Sequence, residues 1–208
     1  MPRVPLSLIL TEIRMEITTE MVKELRDQTG VSIMQCKKAL QEAGGDMEKA
    51  KIILRKQSSS IAGKKADRAL GAGVASAYIH AGGQVLGAVV LGCETDFVSK
   101  NEEFGKLAYS IAMHVAALDP IFRSREDVVE SDLKAAREVF ADEVKNVPEN
   151  AREKALEGKL ESFLKERVLL DQPFVKDPNV TVRELIESHI QKFGEKIEVV
   201  RFERLSVR

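Results

Sequence analysis

Val85-Leu86-Gly87-Ala88-Val89-Val90-Leu91 is a continuous apolar run, and Gly92-Cys93-Glu94 leads from it into Thr95-Asp96-Phe97-Val98. A short apolar run bounded by turn residues reads as a strand, here one expected to be buried on both faces. Upstream, Val74-Ala75-Ser76-Ala77-Tyr78-Ile79-His80 alternates weakly, and Gly82-Gly83 supplies a turn, so the two runs form a hairpin. Downstream, Asn101-Glu102-Glu103-Phe104 opens a helix reaching about Ala117, with Phe104, Leu107, Ala108, Ile111 and Val115 on its apolar face and Pro120 beyond its end. Phe97 therefore stands on a loop between strand and helix. Two readings are open there. Either Phe97 folds back as the first core residue of the helix, or it is held outward for a partner.

The rest of this half is helical until its last segment. Ser131 to Leu170 carries two apolar stripes separated by Pro148, which predicts an antiparallel helical hairpin with charged outer faces. Thr181 to Gln191 reads as a further short helix. Ile197 to Val207 alternates apolar and charged residues and reads as an exposed strand pairing with the earlier hairpin. The expectation is an α+β unit over residues 71–208: a small antiparallel sheet of about three strands covered by helices. Its free edge invites self-association.

Residues 15–56 read as a separate three-helix, UBA-like docking module. Thr18 or Thr19 caps the first helix and Gly30 closes it. Ser32-Ile33-Met34-Gln35 has the form of a capping box, followed by an apolar stripe of Ile33, Cys36, Leu40 and Ala43. Asp46 caps the third helix, with Met47, Ala50, Ile53 and Leu54 facing inward. So small a core suits docking better than chemistry. Cys36 on the stripe reads as a small core residue, with a reactive thiol as the alternative. Residues 57–70, opening with Ser58-Ser59-Ser60 and including Gly63, are expected to be a linker. Arg55 and Lys56 just before it and Lys64, Lys65 and Arg68 within it stand against Asp67. They suit either an RNA contact or a solvated segment; there are no interleaved aromatics for base stacking.

Composition narrows the function classes. The 208 residues carry 32 basic and 33 acidic side chains, so no global field draws the chain to nucleic acid or membrane. Two cysteines and three histidines, none at metal-ligand spacing, argue for a reducing cytoplasm and against a zinc site. The glycines form neither a P-loop nor a dinucleotide fingerprint. No catalytic residue, metal or cofactor is expected, nor direct binding of a nucleotide, a nucleic acid or a membrane. His80, His114 and His189 have no nucleophile or carboxylate clustered with them in sequence, so an enzyme is not expected. The run Val4 to Leu10 is too short and interrupted to span a bilayer. Met15 begins the regular pattern, and residues 1–14 are expected to be a disordered upstream extension.

Four segments resemble the elongation factor Ts family, in family order. They are Leu25-Arg26-Asp27-Gln28-Thr29-Gly30 with Cys36-Lys37-Lys38-Ala39-Leu40; Cys93-Glu94-Thr95-Asp96-Phe97-Val98-Ser99-Lys100; Ile111 to Ala117; and Gln172-Pro173-Phe174-Val175. Gly92 departs from the Asn usual in that family. The resemblance implies a guanine-nucleotide exchange factor for elongation factor Tu. It implies that Thr95, Asp96, Phe97 and Val98 disturb the magnesium and phosphate end of the partner's nucleotide site, with Phe97 as apolar wedge. It implies docking on the GTPase through Leu25, Arg26, Thr29, Gly30, Val31, Met34 and Lys37. The chain resembles short members with one core subdomain, and a homodimer is the expectation that follows. A ubiquitin-associated-like docking protein is the competing reading, but it leaves the Phe97 loop unexplained.

Overall fold

A computed structural model describes residues 17–207. The expectations about residues 1–14 and Met15 concern positions outside that range. Three helices open the described chain: α1 (Thr19–Thr29), α2 (Ile33–Glu42) and α3 (Met47–Gly63). Their caps follow from the sequence. The hydroxyls of Thr18 and Ser32 and the carboxylate of Asp46 accept backbone N–H groups at the three N-termini, and Gly30 closes α1 in the left-handed conformation at φ 68°. Val22, Leu25, Val31, Cys36, Leu40, Ala50 and Leu54 form the module's core.

Two expectations need correction here. Helix α3 does not stop at residue 56; it continues to Gly63, through the first half of the stretch read as a linker. Serine weakens a helix without breaking it, and the buried hydroxyl of Ser58 is satisfied by the carbonyl of Leu54 one turn back. The far end of α3 packs Ile61 and Ala62 against the second core, so one helix serves both modules. Ile33, expected on the inward stripe of α2, is 55% exposed, because Cys36, Ala39 and Leu40 fill the inner face.

The second unit is α+β as expected. Strands β1 (Ala72–His80), β2 (Val85–Cys93) and β5 (Ile197–Ser206) form an antiparallel sheet in the order β1-β2-β5. Between β2 and β5 lie α4 (Asp96–Ser99), α5 (Glu102–Leu118), the hairpin of α6 (Glu130–Glu143) and α7 (Glu149–Arg167), a small sheet of β3 (Pro173–Phe174) with β4 (Asp177–Thr181), and α8 (Val182–Phe193). The small sheet is absent from the sequence reading: its strands are too short for periodicity to register. Helix α5 lies so close over β2 that a Cβ on Gly87 would stand 2.2 Å from the carbonyl oxygen of Ala112. Strand β2 is not buried on both faces. Val89 and Leu91 point under α5, whereas Val90 is exposed, because helices cover one face of the sheet only.

Both ring nitrogens of His114, which is buried in this core, are paired. Nε2 of His114 bonds Oε1 of Gln172 at 2.8 Å, and Nδ1 accepts the backbone N–H of Val175 at 3.2 Å. An accepting Nδ1 places the proton on Nε2 and keeps the ring neutral. Burial pushes the His114 pKa below its ordinary value, against a weaker upward pull from Gln172.

Candidate partner-binding site

Thr95-Asp96-Phe97-Val98 forms a short helical turn, with Thr95 as the N-cap residue of α4. Val98 is 3% exposed and joins the core beside Cys93 and Phe104. Phe97 is 81% exposed. This excludes the reading of Phe97 as the first core residue of the helix: the core position falls to Val98, and the aromatic ring points away. Asp96 is also outward and pairs with Lys100 at 2.6 Å, one helical turn on.

The base of the turn is tied to distant chain. The Glu195 carboxylate, between α8 and β5, accepts the N–H groups of Glu94 at 3.1 Å and Thr95 at 3.0 Å, and the Thr95 hydroxyl at 2.6 Å. In return the Glu94 carboxylate accepts the N–H of Lys196 at 2.6 Å and pairs with Arg68 at 3.2 Å. The Lys196 N–H, followed by Arg68, holds the Glu94 carboxyl below its ordinary pKa. Cys93 lies buried beneath, its thiol donating to the carbonyl of Thr95 at 3.2 Å. Burial, reinforced by the negative charge of Glu195, pushes that thiol up, so it stays protonated.

The sequence reading did not find Glu195 or Arg68 as site residues. No local pattern marks Glu195, which lies 100 residues from Thr95. Arg68 was visible only as part of a basic segment.

In the first module, Leu25 and Val31 are buried and shape α1 and the turn that follows; their side chains do not face outward. Thr29 is half-buried, its hydroxyl donating to the carbonyl of Leu25 at 2.6 Å. Arg26, Gly30, Met34 and Lys37 are exposed, Met34 at 79%. Exposed Ile33 stands beside Met34 and one helical turn before Lys37, which makes an apolar and basic surface at the start of α2. The family resemblance grouped these residues as one docking set. It did not separate the buried ones from the outward ones. Cys36 is buried in the module core, and burial pushes its pKa up, as suits a structural thiol.

Among the described residues no group of three or more His, Cys, Asp or Glu side chains could hold a metal ion, and no helix is long and apolar enough to cross a membrane. What the geometry presents is a two-module α+β protein with one aromatic displayed on a braced turn and a second exposed apolar surface on its helical module.

Comparison with known proteins specifies the family. A profile described as Elongation factor TS matches residues 61–208. Elongation factor Ts of Carboxydothermus hydrogenoformans is 48% identical over 193 residues, covering 92% of this chain and 89% of the relative. The protein of the same name from Thermodesulfovibrio yellowstonii is 46% identical over 195 residues, covering 93% and 97%. That from Thermotoga maritima is 44% identical over 193 residues, again covering 93% and 97%. The chain belongs to the elongation factor Ts family.

Proposed function

We propose that this chain is a guanine-nucleotide exchange factor that promotes GDP release from elongation factor Tu during translation elongation, by inserting the Thr95-Asp96-Phe97-Val98 turn near the magnesium and phosphate end of the partner's nucleotide site. The observation that carries the reading is the exposed Phe97 on a turn whose neighbour Val98 is locked in the core. A large apolar ring kept in water on a rigid support is suited to a partner's pocket.

The energetics require more than the ring. Burying one Phe contributes roughly 1.5–3 kcal/mol, about 10- to 150-fold in affinity. A tight nucleotide site needs a further term, and loss of magnesium supplies it by removing the cation that neutralises phosphate charge. Coupling between GDP and the factor is reciprocal, so the factor must bind the nucleotide-free GTPase better than the loaded one. The helical module, docking elsewhere through Arg26, Met34 and Lys37, with Leu25, Thr29, Gly30 and Val31 shaping the surface, adds affinity and holds Phe97 at high effective concentration. In this reading the chain acts on a protein conformation and changes no covalent bond itself. It works in the cytoplasm as a homodimer. It uses no cofactor and binds neither nucleotide nor nucleic acid directly.

The test is release of a fluorescent GDP from elongation factor Tu, with the wild-type chain and with Phe97→Ala. Acceleration by the wild type that is lost in the variant is the expected result. Acceleration unchanged by the substitution would remove the wedge and leave magnesium loss or the other contacts as the mechanism. No acceleration by either chain would end the exchange-factor reading.

A further inference from the structure

We infer that Glu195 and Arg68 are positioning residues for exchange: together with Glu94 and Lys196 they form a clasp that fixes the direction of Phe97 relative to the docking module. The inference rests on the exchange reading above and adds to it the residues that aim the ring.

The clasp is reciprocal. Glu195 takes two N–H groups and a hydroxyl from residues 94 and 95, and Glu94 takes the N–H of residue 196. Charged acceptors on backbone N–H groups make the stronger class of hydrogen bond. A four-residue turn such as α4 has little helical stability of its own. Val98 fixes one side of it in the core, and Glu195 grips the end where the chain enters. Neither contact touches Phe97, so the ring's direction is set through the backbone.

The same junction also receives the end of the docking module. Helix α3 ends at Gly63; Lys65 then donates to the carbonyl of Gly194 at 2.7 Å, and Arg68 reaches Glu94. Two of the basic residues that the sequence offered as an RNA contact are thus engaged at the base of the turn. Three segments far apart in sequence, residues 65–68, 94–95 and 194–196, meet at one point. The orientation of the ring and the end of the docking module's last helix share that point. A wedge displaced by about 1 Å can lose orders of magnitude in effect while its affinity barely changes.

The experiment measures GDP release from elongation factor Tu at increasing concentrations of the full chain. It separates the maximal release rate from the concentration giving half of it. Glu195→Ala and Arg68→Ala are compared with Glu195→Gln and Phe97→Ala, and thermal unfolding is recorded for each. The expected result for Glu195→Ala is about a tenfold lower maximal rate, with half-saturation near wild type. Arg68→Ala should fall in the same direction by less, because Lys196 still holds Glu94. Glu195→Gln should be intermediate, since an amide oxygen still accepts but without the charge. If Glu195→Ala does not fold, Thr95→Val and Thr95→Ser replace it. Valine removes the 2.6 Å bond and should lower the maximal rate; serine keeps it and should not. Wild-type maximal rates for Glu195→Ala and Thr95→Val, with Phe97→Ala inactive, would overturn the clasp and leave the wedge standing. Full activity of Phe97→Ala would remove the wedge, and the clasp's role with it.

Discussion

Phe97 and Val98 are neighbours in sequence with opposite environments, one 81% and the other 3% exposed. Successive residues on a helical turn differ by about 100° in direction, so one residue of the pair can anchor the turn while the other leaves it. That relationship separates display from stability. Phe97→Ala should leave the unfolding free energy within about 0.5 kcal/mol of wild type, while abolishing accelerated GDP release. Val98→Ala should cost roughly 1.5–3 kcal/mol and loosen the support beneath the ring. Urea unfolding and nucleotide release measured on the same two variants check both halves; a strongly destabilised Phe97→Ala would contradict the exposed position.

Acid should weaken the fold through the buried imidazole of His114 and the half-buried imidazole of His189. Burial holds His114 and His189 below their ordinary value of 6.5 in the folded chain. As pH falls through 6.5 the unfolded chain takes up protons that the folded chain refuses, so stability declines with falling pH until the folded pKa values are reached. Each group contributes up to about 1.4 kcal/mol per pH unit in that window. The urea midpoint should therefore drop between pH 7 and pH 5.5. His114→Gln combined with His189→Gln should flatten that slope whatever it does to stability at neutral pH. Glu187, whose carboxyl burial pushes up, acts in the opposite sense: stability rises as pH falls through its raised folded pKa and levels off below its ordinary value of 4.5.

Gly87 marks a close approach of α5 to the sheet. An added methyl would meet the carbonyl oxygen of Ala112 at 2.2 Å and the backbone nitrogen of Ala116 at 2.7 Å, neither of which is a flexible side-chain end. Gly87→Ala should destabilise the chain by about 1–3 kcal/mol, visible as a lower thermal midpoint. Gly105→Ala, where nothing lies within 4 Å, is the matched control and should be neutral or slightly stabilising.

The uncovered sheet face bears on self-association. Ile79, Leu86 and Leu205 lie across the three strands in register, and Ile79 and Leu205 are each 63% exposed. A homodimer that covers this row should sediment at micromolar concentration at about twice the 23.1 kDa chain mass. Leu205→Arg should return it to a single chain. A wild-type protein that sediments only as the single chain would end the dimer reading.

Much of this structure was legible because it is local. Thr18, Ser32 and Asp46 cap helices within three residues of themselves, and Gly30 ends α1 by its own backbone freedom. The hairpin, the helix after Asn101, the break near Pro148 and the last strand all follow from period and punctuation. The segments Leu25 to Leu40 and Cys93 to Lys100 carried the family. Errors arose where a local pattern was ambiguous. Ser58-Ser59-Ser60 reads as a break, yet α3 passes through it because its far end gains burial against the second core. Ile33 fits an apolar stripe, yet it lies on the outer side.

By itself the sequence determined the main helices and the three strands of the larger sheet, their order, the α+β class and the family, since caps, turns and hydrophobic period act over a few residues. Only the tertiary structure decided that Phe97 faces out while Val98 faces in, that α3 joins both cores, and that helices leave one face of the sheet open. It alone brought Glu195 to Thr95 and Arg68 to Glu94. Contacts between residues far apart in the chain depend on how whole elements dock, and docking is settled by shape and burial, which local periodicity does not encode.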